Sequence, residues 1–310
     1  MPASNMSLRR RAFVVSLGAA ALVAPRRAAA QVSVKDHAGR SIEIRDASRV
    51  VSIGGSVTEI VYAVGASDRL IGVDTTSLFP EAATRLPQVG YMRQIAAEGV
   101  LSLRPSLIIS TMAAGPAAAF EQLRGAGVPT LVLPEDYEFA TVLGKIDSIG
   151  RALGRETAAR ELIDTRRAEM TALGTRLAGT TARPKVLSLL SISQGPPQAA
   201  GRATGADGII RLAGGANAIT SYDGYRPVTV EGVLALAPDA IMVTAQTLRA
   251  LGGIDGVLNA ASLGLTPAGR AKRVFALDAL LLLGFGPRTP EAAYRLAAFL
   301  HPELGLGDPK

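Results

Sequence analysis

A long-range internal repeat constrains this chain more than any other feature of its sequence. The segment Glu98–Pro105 returns as Glu231–Pro238, 133 residues later, with six of eight positions identical. The strand-like runs Arg49–Ser52 and Lys185–Ser188 repeat at a similar separation, 136 residues. Two copies this far apart predict two similar lobes, whereas a short period repeated many times would indicate a solenoid. Two lobes enclose a cleft between them.

The pattern within each lobe is that of an α/β fold. Short apolar runs, many of them β-branched, alternate with helical or turn-rich segments, which predicts mostly parallel sheets covered by helices. In the first lobe the predicted strands are Val32–Val34, Ser41–Ile44, Val50–Ile53, Leu70–Val73, Leu107–Ile109 and Leu131–Leu133. In the second they are Lys185–Leu190, Ala240–Val243 and Val274–Ala276, followed by a final helix over Pro290–Leu300.

A long amphipathic stretch separates the two lobes. Apolar residues recur near helical spacing from Glu138 to Leu177, with Arg and Glu between them, which predicts one long helix or two abutting ones. The predicted organisation is therefore an export signal over 1–30, an N-terminal lobe over 31–137, a connecting helix over 138–178 and a C-terminal lobe over 179–310.

The first thirty residues have the features of an export signal. Arg9–Arg11 precede the apolar run Ala12–Ala24, and Ala28–Ala30 is a small-residue cleavage site. Arg10 and Arg11 resemble the twin-arginine motif, although an ordinary secretory signal with an extra Arg remains an alternative. We expect cleavage near Ala30 and a periplasmic location. Because the chain has no Cys, a lipid anchor on a leader cysteine is excluded.

Composition argues against several functional classes. The formal net charge is +7, but removing the five arginines of residues 1–30 leaves +2, so the basic footprint of a nucleic-acid-binding protein is missing. Two His and no Cys leave a zinc or manganese site without its usual ligands, and no Ser/His/Asp arrangement is apparent. We expect no enzyme activity. The alternative from a different functional class is a secreted enzyme that uses a carboxylate pair such as Asp207 and Asp223, although the spacing of these residues does not indicate one.

The loops that follow strands are where ligand groups should lie in an open α/β fold. Tyr91 is in such a segment, directly after Gly90 and two residues before Arg93. A phenolate oxygen suits ferric iron, Tyr is a known axial haem ligand, and a nearby guanidinium favours the ionised phenol. The alternative is a half-buried loop tyrosine with a hydrated hydroxyl, which spacing alone favours.

The repeated acidic residues Glu98 and Glu231 also have two interpretations. Each is a carboxylate in the first turn of a predicted helix, where the helix dipole contributes about 0.3–1 kcal/mol. A symmetry-related pair, one from each lobe, also provides docking points for a two-fold symmetric partner. Helix-start preference explains a single Glu more easily than a matched pair.

Several segments together resemble a known family, the haemin-binding periplasmic proteins of ABC importers, which are relatives of vitamin B12 and ferric-siderophore binders. The segments are Val51–Ile60, Gly90–Gln94, Ala97–Pro105, Ala200–Asp207, Leu212–Gly215 and Gly284–Pro290. The resemblance spans nearly the whole mature chain. It implies the fold of a class III periplasmic binding protein, two Rossmann-like α/β lobes with mostly parallel sheets joined by one long rigid helix.

The resemblance also implies roles for individual residues. Tyr91 corresponds to the axial haem tyrosine and Arg93 to a basic residue that contacts the phenolate in some members. Glu98 and Glu231 correspond to carboxylates that meet arginines on the two permease subunits. Arg226, with Arg249 as the alternative, is the candidate for a second basic residue of the haem site.

The implied function is capture and delivery of a ligand rather than catalysis. A monomer in the periplasm would bind ferric haem (haem b) in its interlobe cleft and carry it to a permease dimer at the inner membrane, serving iron acquisition. The alternative ligand is cobalamin or a ferric siderophore. Some members hold two haems with a His of the second lobe, but 191–196 contains none, so we expect one haem.

Overall fold

The computed structural model describes Met1, residues 32–192 and residues 196–307. The predicted export signal, its twin-arginine motif and the cleavage site near Ala30 lie outside the described residues, as do residues 193–195 of the 191–196 segment. The chain divides into a unit over 1–30 and a compact unit over 31–310. The fold below is that of the second unit.

The N-terminal lobe is built on a four-stranded parallel sheet in the order β4-β3-β5-β6. The strands β3, β5 and β6 are buried along their whole length, as expected where helices cover both faces of a parallel sheet. An antiparallel hairpin precedes the sheet. The elements are β1 (Val32–Lys35), β2 (Ser41–Ile44), β3 (Val50–Ile53), α1 (Gly55–Ala63), β4 (Leu70–Val73), α2 (Ala97–Ser102), β5 (Leu107–Thr111), α3 (Ala117–Gly125) and β6 (Thr130–Leu133), with short 3-10 turns at Ser67–Arg69, Glu81–Arg85 and Met92–Gln94.

Two helices, not one, connect the lobes: α4 (Phe139–Ala152) and α5 (Glu156–Leu177). The chain turns between them at Gly154, whose φ of +59° is in the left-handed region that ends many helices. The prediction of two abutting helices is therefore confirmed, and the alternative of one continuous helix over 138–178 is wrong. The 22-residue α5 alone leads into the second lobe.

The apolar face of α4 fixes this connection to the N-terminal lobe. Val142, Ile146 and Ile149 recur at helical spacing and are completely buried in the core beside α1 and β1. Burial of each such side chain is worth about 1.5–3 kcal/mol. Where α4 meets α5, a Cβ at Gly150 would clash with the Cβ of Ala159, so the absence of a side chain permits the close contact.

The C-terminal lobe contains a mixed six-stranded sheet in the order β10-β8-β7-β11-β12, with β9 paired to β7. β7 pairs in parallel with β9 and β11, and β11 with β12, whereas β8 and β10 are antiparallel additions. The elements are β7 (Lys185–Ser191), β8 (Gln198–Ala200), α6 (Gly205–Leu212), β9 (Ala216–Asn217), β10 (Tyr225–Pro227), α7 (Val230–Leu236), β11 (Ala240–Thr244), α8 (Ala245–Ala250), α9 (Ile254–Asn259), α10 (Pro267–Arg270), β12 (Val274–Leu277), α11 (Ala279–Leu283) and α12 (Thr289–Leu300), with 3-10 turns at Ala260–Leu265 and Pro302–Leu304.

The internal repeat is visible in the pairing of the strands. Val50 of β3 pairs with Leu107 of β5, and Val186 of β7 pairs with Ala240 of β11, so the repeated segments occupy equivalent places in two lobes. The lobes also share a core, because one buried apolar cluster continues from α1 and α4 through α5 to α6 and α12. Within the described part of the chain, no helix has the length and apolar character needed to cross a bilayer.

Candidate ligand-binding cleft

A cleft of about 330 Å³ lies between the two lobes. Loops at the carboxyl ends of the parallel strands form much of its wall, which is where open α/β sheets bind ligands. The N-terminal lobe contributes Gly54, Gly55, Ser56, Thr75, Thr76, Leu78, Tyr91, Met92, Arg93, Thr111, Ala113, Glu135 and Tyr137. The C-terminal lobe contributes Leu190, Gly205, Tyr225, Ala279, Leu280, Leu283 and Gly284.

Tyr91 and Arg93 are in direct contact in this cleft. Gly90 has a φ of +102°, which permits the turn, and the 3-10 turn Met92–Gln94 follows. Arg93 Nη1 donates a hydrogen bond of 2.6 Å to Tyr91 Oη. A guanidinium has no acceptor, so the phenol oxygen accepts this bond and keeps a further lone pair for another group. The Tyr91 side chain is accessible to such a group because the residue is 40% exposed.

Two further tyrosines line the cleft, Tyr137 after β6 and Tyr225 in β10. Burial, with the nearby charge of Glu135, raises the pKa of Tyr137 above its ordinary value. Burial is also the main reason that the pKa of Tyr225 rises to about 12. Both phenols are therefore neutral near pH 7. Sequence reasoning missed them, although Tyr137 follows a predicted strand, which is the signal that could have found it.

The second basic residue predicted for this site is not in the cleft. Arg226 is in strand β10 rather than in a loop, and its neighbour Tyr225 lines the cleft while Arg226 is exposed. The Arg226 guanidinium lies over the ring of Tyr222, with its Cζ 5.0 Å from the centroid. Arg249, the alternative, is exposed in α8 and also lies outside the cleft lining. The loop predicted around Arg226 is therefore a strand, in which neighbouring side chains point to opposite faces, and a role of Arg226 or Arg249 toward a ligand stays a prediction.

A buried carboxylate organises the floor of the cleft. Asp74, completely buried after β4, accepts hydrogen bonds from Gly54 N at 2.8 Å and from Ser77 Oγ at 2.9 Å. It also accepts from Thr76 N at 2.8 Å and from Thr76 Oγ1 at 2.6 Å. Ser77 Oγ in turn contacts Thr58 Oγ1 at 2.7 Å. These bonds hold the β3–α1 turn against the loop after β4, and both segments line the cleft.

An ion pair is buried beneath the cleft. Lys145 of α4 is fully buried, and its Nζ donates to both carboxylate oxygens of Glu135 at 2.9 Å. Burial raises the pKa of Glu135, and the positive charge of Lys145 opposes that rise. The bidentate contact fixes the segment after β6 that carries Tyr137.

The rim of the cleft is apolar. Leu78 and Leu190 line the cleft and are exposed. Phe79 and Met112, which directly follow the lining residues Leu78 and Thr111, are also exposed. Exposed large apolar side chains around a concavity are typical of a binding site for a ligand with an apolar surface.

The carboxylates proposed for an enzyme do not form a catalytic pair. Asp207 accepts a hydrogen bond of 3.0 Å from Asn217 Nδ2, and Asp223 forms an ion pair of 2.9 Å with Arg202. Each carboxylate is therefore held by its own partner. Over 32–192 and 196–307, no three or more His, Asp or Glu side chains are grouped so as to hold a metal ion.

Glu98 and Glu231 occupy equivalent places in the two lobes. Glu98 is in the first turn of α2 and Glu231 in the first turn of α7, and both are exposed. Thr229 caps α7 by accepting a hydrogen bond from Gly232 N at 3.1 Å, so Glu231 is not needed as the cap. Neither carboxylate forms an ion pair with a residue that the structure describes.

Comparison with known proteins identifies the family. The sequence model of the periplasmic binding proteins matches residues 50–281. The chain belongs to this family. Its members are binding proteins, and the two α/β lobes observed here are those of the class III group.

Solved structures of haem-binding members are similar over most of their length. The periplasmic heme-binding protein BhuT, in complex with two hemes, is 40% identical, with a TM-score of 0.78 over 83% of this chain and 98% of that one. RhuT from Roseiflexus sp. RS-1, a periplasmic heme-binding protein in apo form, is 37% identical, with a TM-score of 0.78 over 84% of this chain and 100% of that one.

Curated relatives are more distant. An uncharacterized ABC transporter substrate-binding lipoprotein of Bacillus subtilis, YvrC, is 28% identical over 88% of this chain and 86% of its own length. The vitamin B12-binding protein of Yersinia pestis is 27% identical over 64% of this chain and 70% of its own length. Both similarities agree with an ABC importer binding protein.

Proposed function

We propose that this protein captures one ferric haem in the interlobe cleft, with Tyr91 as the axial ligand, and delivers it to an ABC permease. The observation that carries the proposal is the contact between Tyr91 and Arg93. An accessible phenol oxygen accepts a hydrogen bond of 2.6 Å from a guanidinium, inside a cleft with an apolar rim. The similarity to BhuT and RhuT supports haem as the ligand.

The residues of the cleft have different roles in the proposed haem binding. Tyr91 loses its proton to solvent when its oxygen binds iron, and Arg93 stabilises the phenolate by charge and hydrogen bonding. Tyr137 and Tyr225 keep their protons because burial raises the pKa of both phenols. Ferric haem supplies the iron and a large apolar face, which suits the rim formed by Leu78 and Leu190. A single axial bond keeps capture reversible.

Delivery would use the exposed carboxylates of the two lobes. Glu98 and Glu231 present one acidic group each at equivalent positions, which matches a permease dimer with two-fold symmetry. We propose that the protein acts as a monomer in the periplasm after cleavage near Ala30. Catalysis has no part in this function.

Cobalamin is the second candidate ligand, because the vitamin B12-binding protein of Yersinia pestis is a relative. A ferric siderophore is a third possibility within the family. Neither requires a protein oxygen bound to iron, so the Tyr91–Arg93 contact favours haem over both.

The experiment is a set of absorption titrations of the mature protein, residues 31–310, with ferric haemin, cyanocobalamin and a ferric hydroxamate siderophore. Haemin should give a saturable charge-transfer band typical of iron–tyrosinate coordination, with an end point at one equivalent. An end point at two equivalents would contradict the proposed stoichiometry, and binding of cobalamin or siderophore without haemin would contradict the proposed ligand.

A further inference from the structure

An ion pair joins the two lobes beside the cleft. Glu59 is in α1 of the N-terminal lobe, and Arg288 directly precedes α12 of the C-terminal lobe. Arg288 Nε donates a hydrogen bond of 3.1 Å to Glu59 Oε2, and Arg288 Nη2 donates to Glu59 Oε1. The contact is therefore bidentate, which fixes the relative direction of the two side chains as well as their distance.

The surroundings of this pair leave it little freedom. The Glu59 side chain is buried, and burial raises the pKa of its carboxyl group despite the opposing charge of Arg288. A Cβ at Gly286 would lie 3.0 Å from Glu59 Oε2, so the chain of the second lobe passes close to the carboxylate. Gly55, at the start of the same helix, and Gly284, four residues before Arg288, both line the cleft. The pair thus joins two segments that each carry a wall residue of the cleft.

The free face of the Arg288 guanidinium lies over an aromatic ring at the rim. Its Cζ is 3.6 Å from the ring centroid of Phe79, which is 43% exposed. The preceding residue, Leu78, lines the cleft. A cation over a ring at this distance is attracted to its π face. The guanidinium therefore holds the Leu78–Phe79 rim while it joins the lobes.

We propose that Glu59, Arg288 and Phe79 form an interlobe clamp that sets the width of the cleft and slows dissociation of the bound ligand. This inference rests on the proposed function, in which the ligand is haem. The three residues act as positioning residues, since Leu78 and the start of α1 form the wall while the clamp holds them in place.

The first test measures the rate of haem transfer from loaded protein to an excess of apomyoglobin. Phe79→Ala should raise that rate by about threefold to tenfold, because the rim loses its contact with Arg288. Arg288→Lys should raise it by more, since a single ammonium nitrogen replaces the rigid planar fork that bonds both oxygens of Glu59 and covers the ring of Phe79. The tyrosinate charge-transfer band of the loaded variants should stay where it is in the original protein. Leu265→Ala is the control, because Leu265 is 62% exposed and lies outside the cleft lining.

The double variant tests whether the residues act as a unit. If the residues act as one clamp, the double variant Phe79→Ala with Arg288→Lys should transfer haem little faster than Arg288→Lys alone. If they act independently, the fold-increases of the two single variants should multiply. Multiplied effects, or a transfer rate of Phe79→Ala equal to that of Leu265→Ala, would overturn the proposal. If Arg288→Lys lowered the melting temperature but left the haem-transfer rate unchanged, the proposal would also be overturned, because the ion pair would then contribute only to stability.

A measurement on the ligand-free protein separates failure of the clamp from failure of the proposed function. The chain has no Cys, so spin labels on Gln122→Cys in the N-terminal lobe and Asn259→Cys in the C-terminal lobe report a single interlobe distance. Glu59→Gln and Arg288→Lys should broaden that distance distribution. An unchanged distribution overturns the clamp even if haem binds, and a broadened one supports it even if the ligand is not haem.

Discussion

The guanidinium of Arg93 donates a hydrogen bond of 2.6 Å to the phenol oxygen of Tyr91 in a cleft between two lobes. The two residues are separated by one position, and the 3-10 turn that begins after Tyr91 brings their side chains together. A hydrogen bond with an ionised partner is roughly twice as strong as a neutral one. Under the proposed function, this contact would stabilise the negative charge of the Tyr91 oxygen once it is bound to ferric iron.

Asp74→Asn should loosen the floor of the cleft. The amide keeps the size of the carboxylate but can no longer accept all four hydrogen bonds from Gly54, Thr76 and Ser77. We expect a loss of about 2–4 kcal/mol in the free energy of unfolding and faster hydrogen exchange at the amides of Gly54 and Thr76. Asp46→Asn, at an exposed turn carboxylate, is the control. Unchanged exchange at these two amides would count against this account.

Lys145→Met should be strongly destabilising, because it leaves the Glu135 carboxylate buried without its partner. We expect a loss of about 3–5 kcal/mol in urea unfolding, with much of it recovered in the double variant Glu135→Gln with Lys145→Met. Arg85→Met removes an exposed ion pair with Glu81 and should cost less than about 1 kcal/mol. Equal losses for Lys145→Met and Arg85→Met would contradict this prediction.

Tyr225 should make the stability depend on pH in the alkaline range. Its pKa is about 12 in the folded protein against an ordinary value of 10.0, so the folded state holds this proton more tightly. The contribution to stability is fully present below pH 10 and is lost as pH rises toward 12. The urea concentration at the midpoint of unfolding should therefore decrease between pH 9 and pH 11, and this decrease should be larger in the original protein than in Tyr225→Phe. Parallel decreases in both proteins would be the opposite result.

Reversing the charge of Glu98 or Glu231 should impair delivery without affecting haem capture. Both residues are exposed and lie outside the cleft, so Glu98→Arg and Glu231→Arg should bind haemin normally. Haem uptake into vesicles that contain the permease should fall at least tenfold. Glu156→Arg is a matched control, because Glu156 is an exposed first-turn carboxylate of α5 that the repeat does not relate to Glu98. Equal uptake with Glu98→Arg and Glu156→Arg would argue against paired docking.

Much of the fold follows from local sequence signals. Buried strands such as Val50–Ile53 and Leu70–Val73 are apolar runs closed by turn residues, and they were predicted with the observed bounds. The two-lobe arrangement was predictable because the repeated segment Glu98–Pro105 precedes a strand in each lobe. The break between α4 and α5 depends on a left-handed turn at Gly154. The helical pattern continues on both sides of this residue, so the sequence was compatible with one long helix as well as with two.

The cleft was predictable only in part. Tyr91 and Arg93 are close in sequence, so their contact follows from local geometry. Glu59 and Arg288 are far apart in the chain, and only the packing of the two lobes brings them together. Arg226 was proposed for the site from the family resemblance and was ranked above Arg249 because it follows Tyr225 in an expected loop, whereas the structure has the short strand β10 there. Asp74 carries no sequence signal that distinguishes a buried carboxylate from one on the surface.

Haem ligation by Tyr91 is tested most directly by comparing single variants of the three tyrosines that line the cleft. Ferric haemin is titrated into Tyr91→Phe, Tyr137→Phe and Tyr225→Phe, and the iron–tyrosinate charge-transfer band is recorded by absorption. Tyr91→Phe alone should lose the band, while the other two variants keep it. A band that survives in Tyr91→Phe, or one that disappears in Tyr225→Phe, would contradict the assignment of Tyr91 as the axial ligand.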